Sequence, residues 1–458
     1  LKIRKTGTFH DAVKYIFFFF SFLLSFRKIF SLLQTVLLYY IFVHITTFSL
    51  QYHLLSPKIH DNMISIFNNL FYIISRSIFM IRIGIVSYNI YCNFTNYGSA
   101  LQSWALYQSI KRISPDLYQP VLVDYCPDSL SDKDPLNPFS NMWDQDPESR
   151  KMCELSLPAI RINYQKFDHF YHTYFGLTSQ KYTSENFNSI AHFDDINHFV
   201  CGSDTIFCIN EFNGFDDGYF ANYDVMKGNS VSYAASFGDA HFDTDSYQIL
   251  NNRLQNFLAI GLRENKFIPY LKEHINSNGI QVFRTIDPTL LLTTEDYDTI
   301  AASRIITEKY LLLYARRYNK EMEAFAEKIA RDNGWTIVEI SLRSTNSAKG
   351  HKMFYEAGIE EFLSLVKYSE YIITNSFHGL IFAVQYRKQM AVFSRESGDN
   401  KIAEVLELFD LKECLLTKAP SVIPQIHDYD AVHARINTAR KSSLDFLTKE
   451  LNLLNGDH

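Results

Sequence analysis

The chain has 458 residues, 47% of them hydrophobic, which is enough for two or three domains with a substantial core. Its net charge of -6 and pI near 6.2 give no bulk attraction to nucleic acid, so no nucleic-acid partner is expected and any anion site must be local. Cys92, Cys126, Cys153, Cys201, Cys208 and Cys414 form no C-x-x-C pair and no metal-type spacing with His, which reads as free thiols in a reducing cytoplasm.

Residues 16 to 26 (IFFFFSFLLSF) are apolar, Arg27 and Lys28 follow, and Ile29 to Leu50 run 22 residues without Asp, Glu, Lys or Arg. A bilayer takes about 20 apolar residues to span. One reading of 1–79 is therefore a membrane anchor with a basic flank. The other is translation of an AT-rich upstream region: the chain begins with Leu, the segment is loaded with Phe, Ile, Leu, Tyr, Ser and Lys, and Met80 stands directly before a clean strand, IRIGIVS. The working start is expected at Met80. No small-residue cleavage site follows the apolar run, which argues against a signal peptide.

From Met80 onward strands and helices alternate. A buried-type strand at 81–87 leads to a helical pattern at 99–113 and a strand at 121–125. Residues 126–150, rich in Pro, Asp, Ser and Asn, read as a long loop over a cleft. Strands follow at 198–201, 230–237 and 257–262, with helices near 246–256 and 265–276. The passage between lobes falls at 282–310. The second lobe runs through strand 310–315, helix 320–333 with Gly334 placed for a left-handed cap, strand 336–340, helix 359–369, strand 371–374, helix 378–386 and strand 390–393. This is an α/β chain with two Rossmann-like lobes, mostly parallel sheets and a cleft between them. The lobes are expected at 80–285 and 286–400, with a C-terminal helical segment at 401–458.

Ligands in such sheets bind beyond the carboxyl ends of the strands. The stretch YIITNSFHGLIFA (371–383) puts Asn375, Ser376, His378 and Gly379 at a strand-to-helix corner, where unpaired N–H groups and the helix dipole favour an anion. Asn96, Tyr97, Gly98 and Ser99 open the first helix. Gly202, Ser203 and Asp204 follow the strand at 198–201, and Arg263 and Lys266 follow the strand at 257–262. Arg316, Arg317 and Arg395 stand just past strands of the second lobe. His169, His172, His192 and His198 are assigned to irregular segments without a metal-ligand spacing, and no metal is expected.

The segments NYGSALQ (96–102), CGSD (201–204), SYAASFG (232–238), LRE (262–264), DPTLLL (287–292) and TNSFHGLIFA (374–383) occur in the order and rough spacing of the polysaccharide pyruvyl transferase family, which the chain resembles over roughly 80–400. The resemblance implies a two-lobed GT-B-like fold, the first lobe facing the acceptor and the second the donor. It also implies transfer of pyruvate from phosphoenolpyruvate, a co-substrate with no further cofactor, to a sugar of an exopolysaccharide or other cell-surface glycan. The acceptor is then a saccharide or lipid-linked glycan, and the reaction cytoplasmic or at the inner face of the membrane. Thr205 and Phe207 depart from the family's usual Gln and Trp; Phe207 keeps an aromatic wall, while Thr205 shortens a polar reach.

Phosphoenolpyruvate carries a carboxylate and a phosphate, so its site needs cations and N–H donors. His378 is the first candidate for the acid or phosphate contact. Its place at a helix start disfavours the imidazolium, which a bound trianion would restore. Arg263, Lys266, Arg316, Arg317 and Arg395 are candidates for the donor's charges. Two roles are open to Asp204: base toward a sugar hydroxyl, or anchor of its turn. Asn96, Tyr97, Gly98, Gly202 and Ser203 are candidates for the acceptor side, and Asn375, Ser376 and Gly379 for the donor corner. A GT-B-type glycosyltransferase using a nucleotide sugar is the alternative, and a non-catalytic glycan-binding member is a third reading.

Overall fold

The computed structural model of the chain describes residues 80–88, 90–91, 94–136, 147–275, 279–395 and 400–454. The anchor and start-site expectations for 1–79 lie outside them. No helix among the described residues is long and apolar enough to cross a membrane.

The described residues from Arg82 onward form one compact unit, and the protein holds two six-stranded sheets. The first contains β1 (Ile81–Val86), β2 (Tyr118–Leu122), β3 (His198–Cys201), β4 (Ser230–Ala235), β5 (Phe257–Leu262) and β6 (Gln281–Arg284), in the order β2-β1-β3-β4-β5-β6. Its helices are α1 (Tyr97–Ile113), α2 (Pro147–Tyr174), the short α3 (Ile190–Phe193), α4 (Thr244–Leu254) and α5 (Ile268–His274). After a short α6 (Thr294–Asp298), the second sheet collects β7 (Tyr310–Tyr314), β8 (Thr336–Ile340), β9 (Lys352–Met353), β10 (Tyr371–Thr374), β11 (Gln389–Phe393) and β12 (Leu415–Leu416), in the order β12-β11-β10-β7-β8-β9. It carries α7 (Lys320–Asn333), α8 (Ile359–Lys367), α9 (Phe377–Gln385), α10 (Asn400–Phe409) and α11 (Tyr429–Leu454).

Pairing is parallel from β1 to β6 and throughout the second sheet. Central strands β4 and β7 are buried at every residue, as helices on both faces of a parallel sheet require. Helix α7 starts at Asn319, whose side chain accepts from Met322 N, and stops at Gly334 with φ 66°, a left-handed conformation that glycine adopts without steric cost.

Strand β2 and helix α2 depart most from the sequence expectation. Strand β2 lies at Tyr118–Leu122, earlier than 121–125; Val123 N still donates to Ile85 O at 3.0 Å, and Leu122 and Tyr125 form isolated bridges to Leu177 and Tyr182. Helix α2 begins within the expected loop and runs 28 residues with Pro158 inside it, which places His169 and His172 on a regular helix. Its stripe of Met152, Cys153, Ser156, Ile160, Asn163, Phe167 and Phe170 is buried. The stripe mixes polar and apolar residues, so its helical period is hard to see in the sequence. Helix α11 returns to the first sheet: Ser443 Oγ accepts from Ile286 N at 3.0 Å, and Phe446 stacks on Phe283 at 5.3 Å. Cys126, Cys153, Cys201, Cys208 and Cys414 are free and buried.

Candidate active site

The carboxyl ends of both sheets converge on the start of α1. Asn96 caps this helix, its side chain accepting from Gly98 N at 3.0 Å. Gly98 is required by its neighbour: a Cβ there would lie 1.8 Å from His378 Nδ1. One turn on, Ser99 Oγ donates to Asp204 Oδ2 at 2.7 Å, and Gln102 Oε1 accepts from Ser203 N at 3.0 Å. Gly202 has φ 149°, and a Cβ on it would stand 2.0 Å from the Tyr233 carbonyl oxygen, so this turn also needs glycine. Asp204 has φ 69°, a conformation Asp tolerates better than most residues.

The second-lobe corner is built from its own polar residues. Thr374 Oγ1 donates to Tyr314 O at 2.7 Å and accepts from Ser376 N at 3.0 Å. Asn375 accepts from Arg316 N and donates to Arg317 O, clamping the end of β7. Ser376 caps α9 by accepting from Gly379 N at 3.3 Å, and Gly379 leaves no space for a Cβ beside Thr374 Oγ1. Their side chains therefore hold His378 in place.

At the junction, Asp287 joins the two lobes. Its Oδ2 accepts from Arg263 Nη1 at 2.9 Å and lies 3.5 Å from His378 Nε2, while Oδ1 accepts from Thr289 Oγ1 at 2.6 Å. Arg263 Nε donates to Glu264, which also accepts from Ser236 Oγ, and the guanidinium lies 4.6 Å from the centre of the Phe377 ring. Arg263, Asp287 and His378 are all at least nine-tenths buried. Even so, Arg263 Nη2 and His378 Nε2 have no hydrogen-bond partner. Buried donors in this state carry a desolvation cost that an anionic ligand would relieve.

The charges reinforce one another. Burial pushes the Asp287 carboxyl up, but His378, then Arg263 and the Thr289 hydroxyl outweigh it and hold the group well below the usual carboxylate range. Burial likewise raises Asp204, and Arg263, His378, Lys401 and the Ser99 hydroxyl bring it below its ordinary value. Burial opposes the Arg263 charge, yet Glu264, Asp287 and Asp204 keep it firmly protonated.

The remaining candidates lie elsewhere. Tyr97 is buried, stacked on Phe362 at 4.4 Å, and donates to Ala357 O at 2.7 Å. Arg316 and Arg317 are exposed at the rim of a separate cavity. Arg395 is half-buried, with its charge felt at Tyr314 and Lys401. Lys266 is exposed over the Phe267 ring, away from the cluster. Phe207 is fully buried and stacked on Phe220 at 4.7 Å, so it walls the core and not a ligand. Thr205 uses its hydroxyl to hold Glu211, at 2.6 Å.

The profile of the family described as polysaccharide pyruvyl transferase matches residues 96–397. The chain belongs to this family. The match takes in every site element above except Lys401. Among solved structures, the chain is similar to UDP-N-acetylglucosamine 2-epimerase from Rickettsia bellii, with 12% identity, TM-score 0.45, and coverage of 82% of this chain and 97% of that one. It is also similar to the S. aureus MnaA-UDP co-structure, with 12% identity, TM-score 0.43, and coverage of 83% and 98%. For E. coli ADP-heptose LPS heptosyltransferase II the values are 12%, 0.29, 79% and 99%. Comparison with curated proteins gives no significant match.

Asp287 stands inside DPTLLL, and its signal in the sequence is an Asp at a strand-to-turn junction in line with five other strand-end motifs. Lys401 had no such signal. It lies at the start of α10, which Glu404 fastens to the first lobe by accepting from Asn265 N at 2.8 Å. Burial lowers its pKa and the Arg263 charge lowers it further, while Asp204 pulls it up.

Proposed function

We propose that this family member transfers pyruvate from phosphoenolpyruvate to two hydroxyls of one sugar, forming a pyruvate ketal on a polysaccharide or its lipid-linked precursor. The observation that carries the reading is the buried Arg263–Asp287–His378 cluster, with one unpartnered N–H on Arg263 and one unpartnered ring nitrogen on His378. Arg263 Nη2 takes the donor's carboxylate, and the α9 start with Lys401 and Arg395 supplies positive potential for its phosphate.

Ketal formation then needs a proton at the enol carbon C3. His378 gives it, which leaves C2 electron-poor, and the first sugar hydroxyl attacks C2 while losing its proton to Asp204. The second hydroxyl attacks C2 as the C2–O bond to phosphate breaks, and its proton leaves with phosphate. One hydroxyl proton thus ends, through the protein, on C3 and the other on the leaving group. Asp204, kept ionised and aimed by Ser99, suits the base role.

The test is protein from Met80 incubated with phosphoenolpyruvate and a panel of glycans. Acceptor-dependent phosphate release with a mass gain of one pyruvate ketal is expected. Turnover of a nucleotide sugar in place of phosphoenolpyruvate would establish the glycosyltransferase alternative.

A further inference from the structure

Apart from the Asp287 cluster, a cavity of about 390 Å3 opens at the carboxyl ends of β7 and β8, facing α2 of the first lobe. This volume falls in the ~300–1,000 Å3 range of small-molecule sites. Among the described residues its lining includes Arg316, Arg317 and Arg343 and no Asp or Glu. In a chain of net charge -6, three guanidinium groups around one hollow are a local concentration of positive charge.

The arginines are held by structure. Asn375 clamps the backbone of Arg316 and Arg317, and Arg316 Nη1 donates to Thr95 O at 3.2 Å across the lobe junction. Arg343 lies 3.7 Å over the Tyr318 ring, pairs with the exposed Glu148 at 2.9 Å, and keeps a buried Nε without a hydrogen-bond partner. Planar guanidinium forks on rigid strand ends suit phosphate oxygens, which they engage in paired hydrogen bonds. Tyr97 and Tyr314 line the cavity, and Tyr97 directly precedes Gly98, on which His378 rests. The cavity therefore adjoins the cluster without sharing its charged groups.

We propose that this cavity is a diphosphate-binding site that seats the carrier end of the acceptor, a sugar diphosphate whose sugar reaches toward His378. The carrier role rests on the pyruvyl-transfer reading; the anion site does not. A nucleotide and a polyprenol both present this chemistry.

Isothermal titration of the intact protein with inorganic pyrophosphate tests it. Wild type is expected to bind one pyrophosphate, Arg317→Met and Arg343→Met each to bind about tenfold or more weakly, and His378→Gln to bind as wild type. If a methionine variant melts early, Arg343→Lys, which keeps the charge and loses the fork, is read in its place with a smaller loss. No binding to wild type in the millimolar range, unchanged affinity in the arginine variants, or loss in His378→Gln instead would each overturn the site. Competition by UDP-N-acetylglucosamine supports a nucleotide carrier, competition by farnesyl diphosphate a lipid carrier, and competition by neither overturns the carrier role. Phosphate release from phosphoenolpyruvate is read separately, so failure of pyruvyl transfer and failure of this site are distinguishable.

Discussion

Among the described residues, two buried histidines face buried carboxylates, and the two pairs are built differently. His351 Nδ1 lies 2.6 Å from Glu339, whose carboxylate also accepts from Ser341 Oγ at 2.5 Å and Asn346 Nδ2 at 3.1 Å. All four residues come from β8 and the turn after it. Asp287 follows β6 of the first sheet and His378 opens α9 beside the second; they stand 3.5 Å apart, and neither Nε2 nor the neighbouring Arg263 Nη2 makes a hydrogen bond. Both rings keep an Nε2 without a hydrogen-bond partner, His351 facing Glu327 at 3.9 Å, so the ring nitrogen does not separate the pairs. The second pair differs in standing beside a buried guanidinium N–H, Arg263 Nη2, that also lacks a partner, which leaves two convergent groups for something the chain does not supply.

The largest effect that tests this contrast is on turnover. His378→Gln should lower acceptor-dependent phosphate release by about 10^2–10^4-fold with little change in melting temperature. Retention of near wild-type rates would make His378 structural like His351. Gly98→Ala should act through the same ring: a methyl placed 1.8 Å from Nδ1 must displace it, and a misplacement of about 1 Å costs on the order of 10^2-fold.

Stability separates the pairs next. Arg263→Met strands Asp287 and Glu264 in the interior and should cost about 3–5 kcal/mol in urea unfolding. Glu339→Gln removes one charge from a network that stays largely hydrogen-bonded, and should cost about 1–3 kcal/mol while leaving phosphate release unchanged. Equal losses in the two variants would erase the distinction.

The smallest effect is on acid sensitivity. Asp204 and Asp287 titrate lower folded than unfolded, so their contribution is complete above the unfolded value, about 3.9, and disappears as pH falls through the folded ones. Below pH ~4, each should steepen the loss of stability by up to about 1.4 kcal/mol per pH unit. Asp287→Asn should show a shallower slope between pH ~4 and ~2.5 in urea midpoints. An unchanged slope would mean that Asp287 is not held ionised by its neighbours.

Much of this architecture was legible in the residues. Continuous apolar runs such as YLLLY and YIIT, too short for helices and bounded by turn residues, read as strands buried on both faces, and each ended in Gly, Ser, Asn, Asp or Arg at a corner where parallel sheets place ligands. His378, Arg263, Asp204 and Gly98 were read from such corners, and the structure brings them together. Asn375 and Ser376 were read from the same corner, where their side chains tie β7 and cap α9. A polar side chain beside a strand end can satisfy the backbone or a ligand, and composition does not distinguish the two.

The sequence by itself determined the alternation of strands and helices, the strand-end corners and the family, because periodicity and turn chemistry are local properties of the chain. Only tertiary structure decided that Asp287 faces Arg263 and His378, that the Lys401 charge, on a helix fastened by Glu404, is felt at Arg263 and Asp204, and that three arginines surround one cavity. The reason is physical: a side chain's charge state and unmet hydrogen bonds depend on which distant residues share its low-dielectric surroundings, and those neighbours exist only once the two sheets have docked.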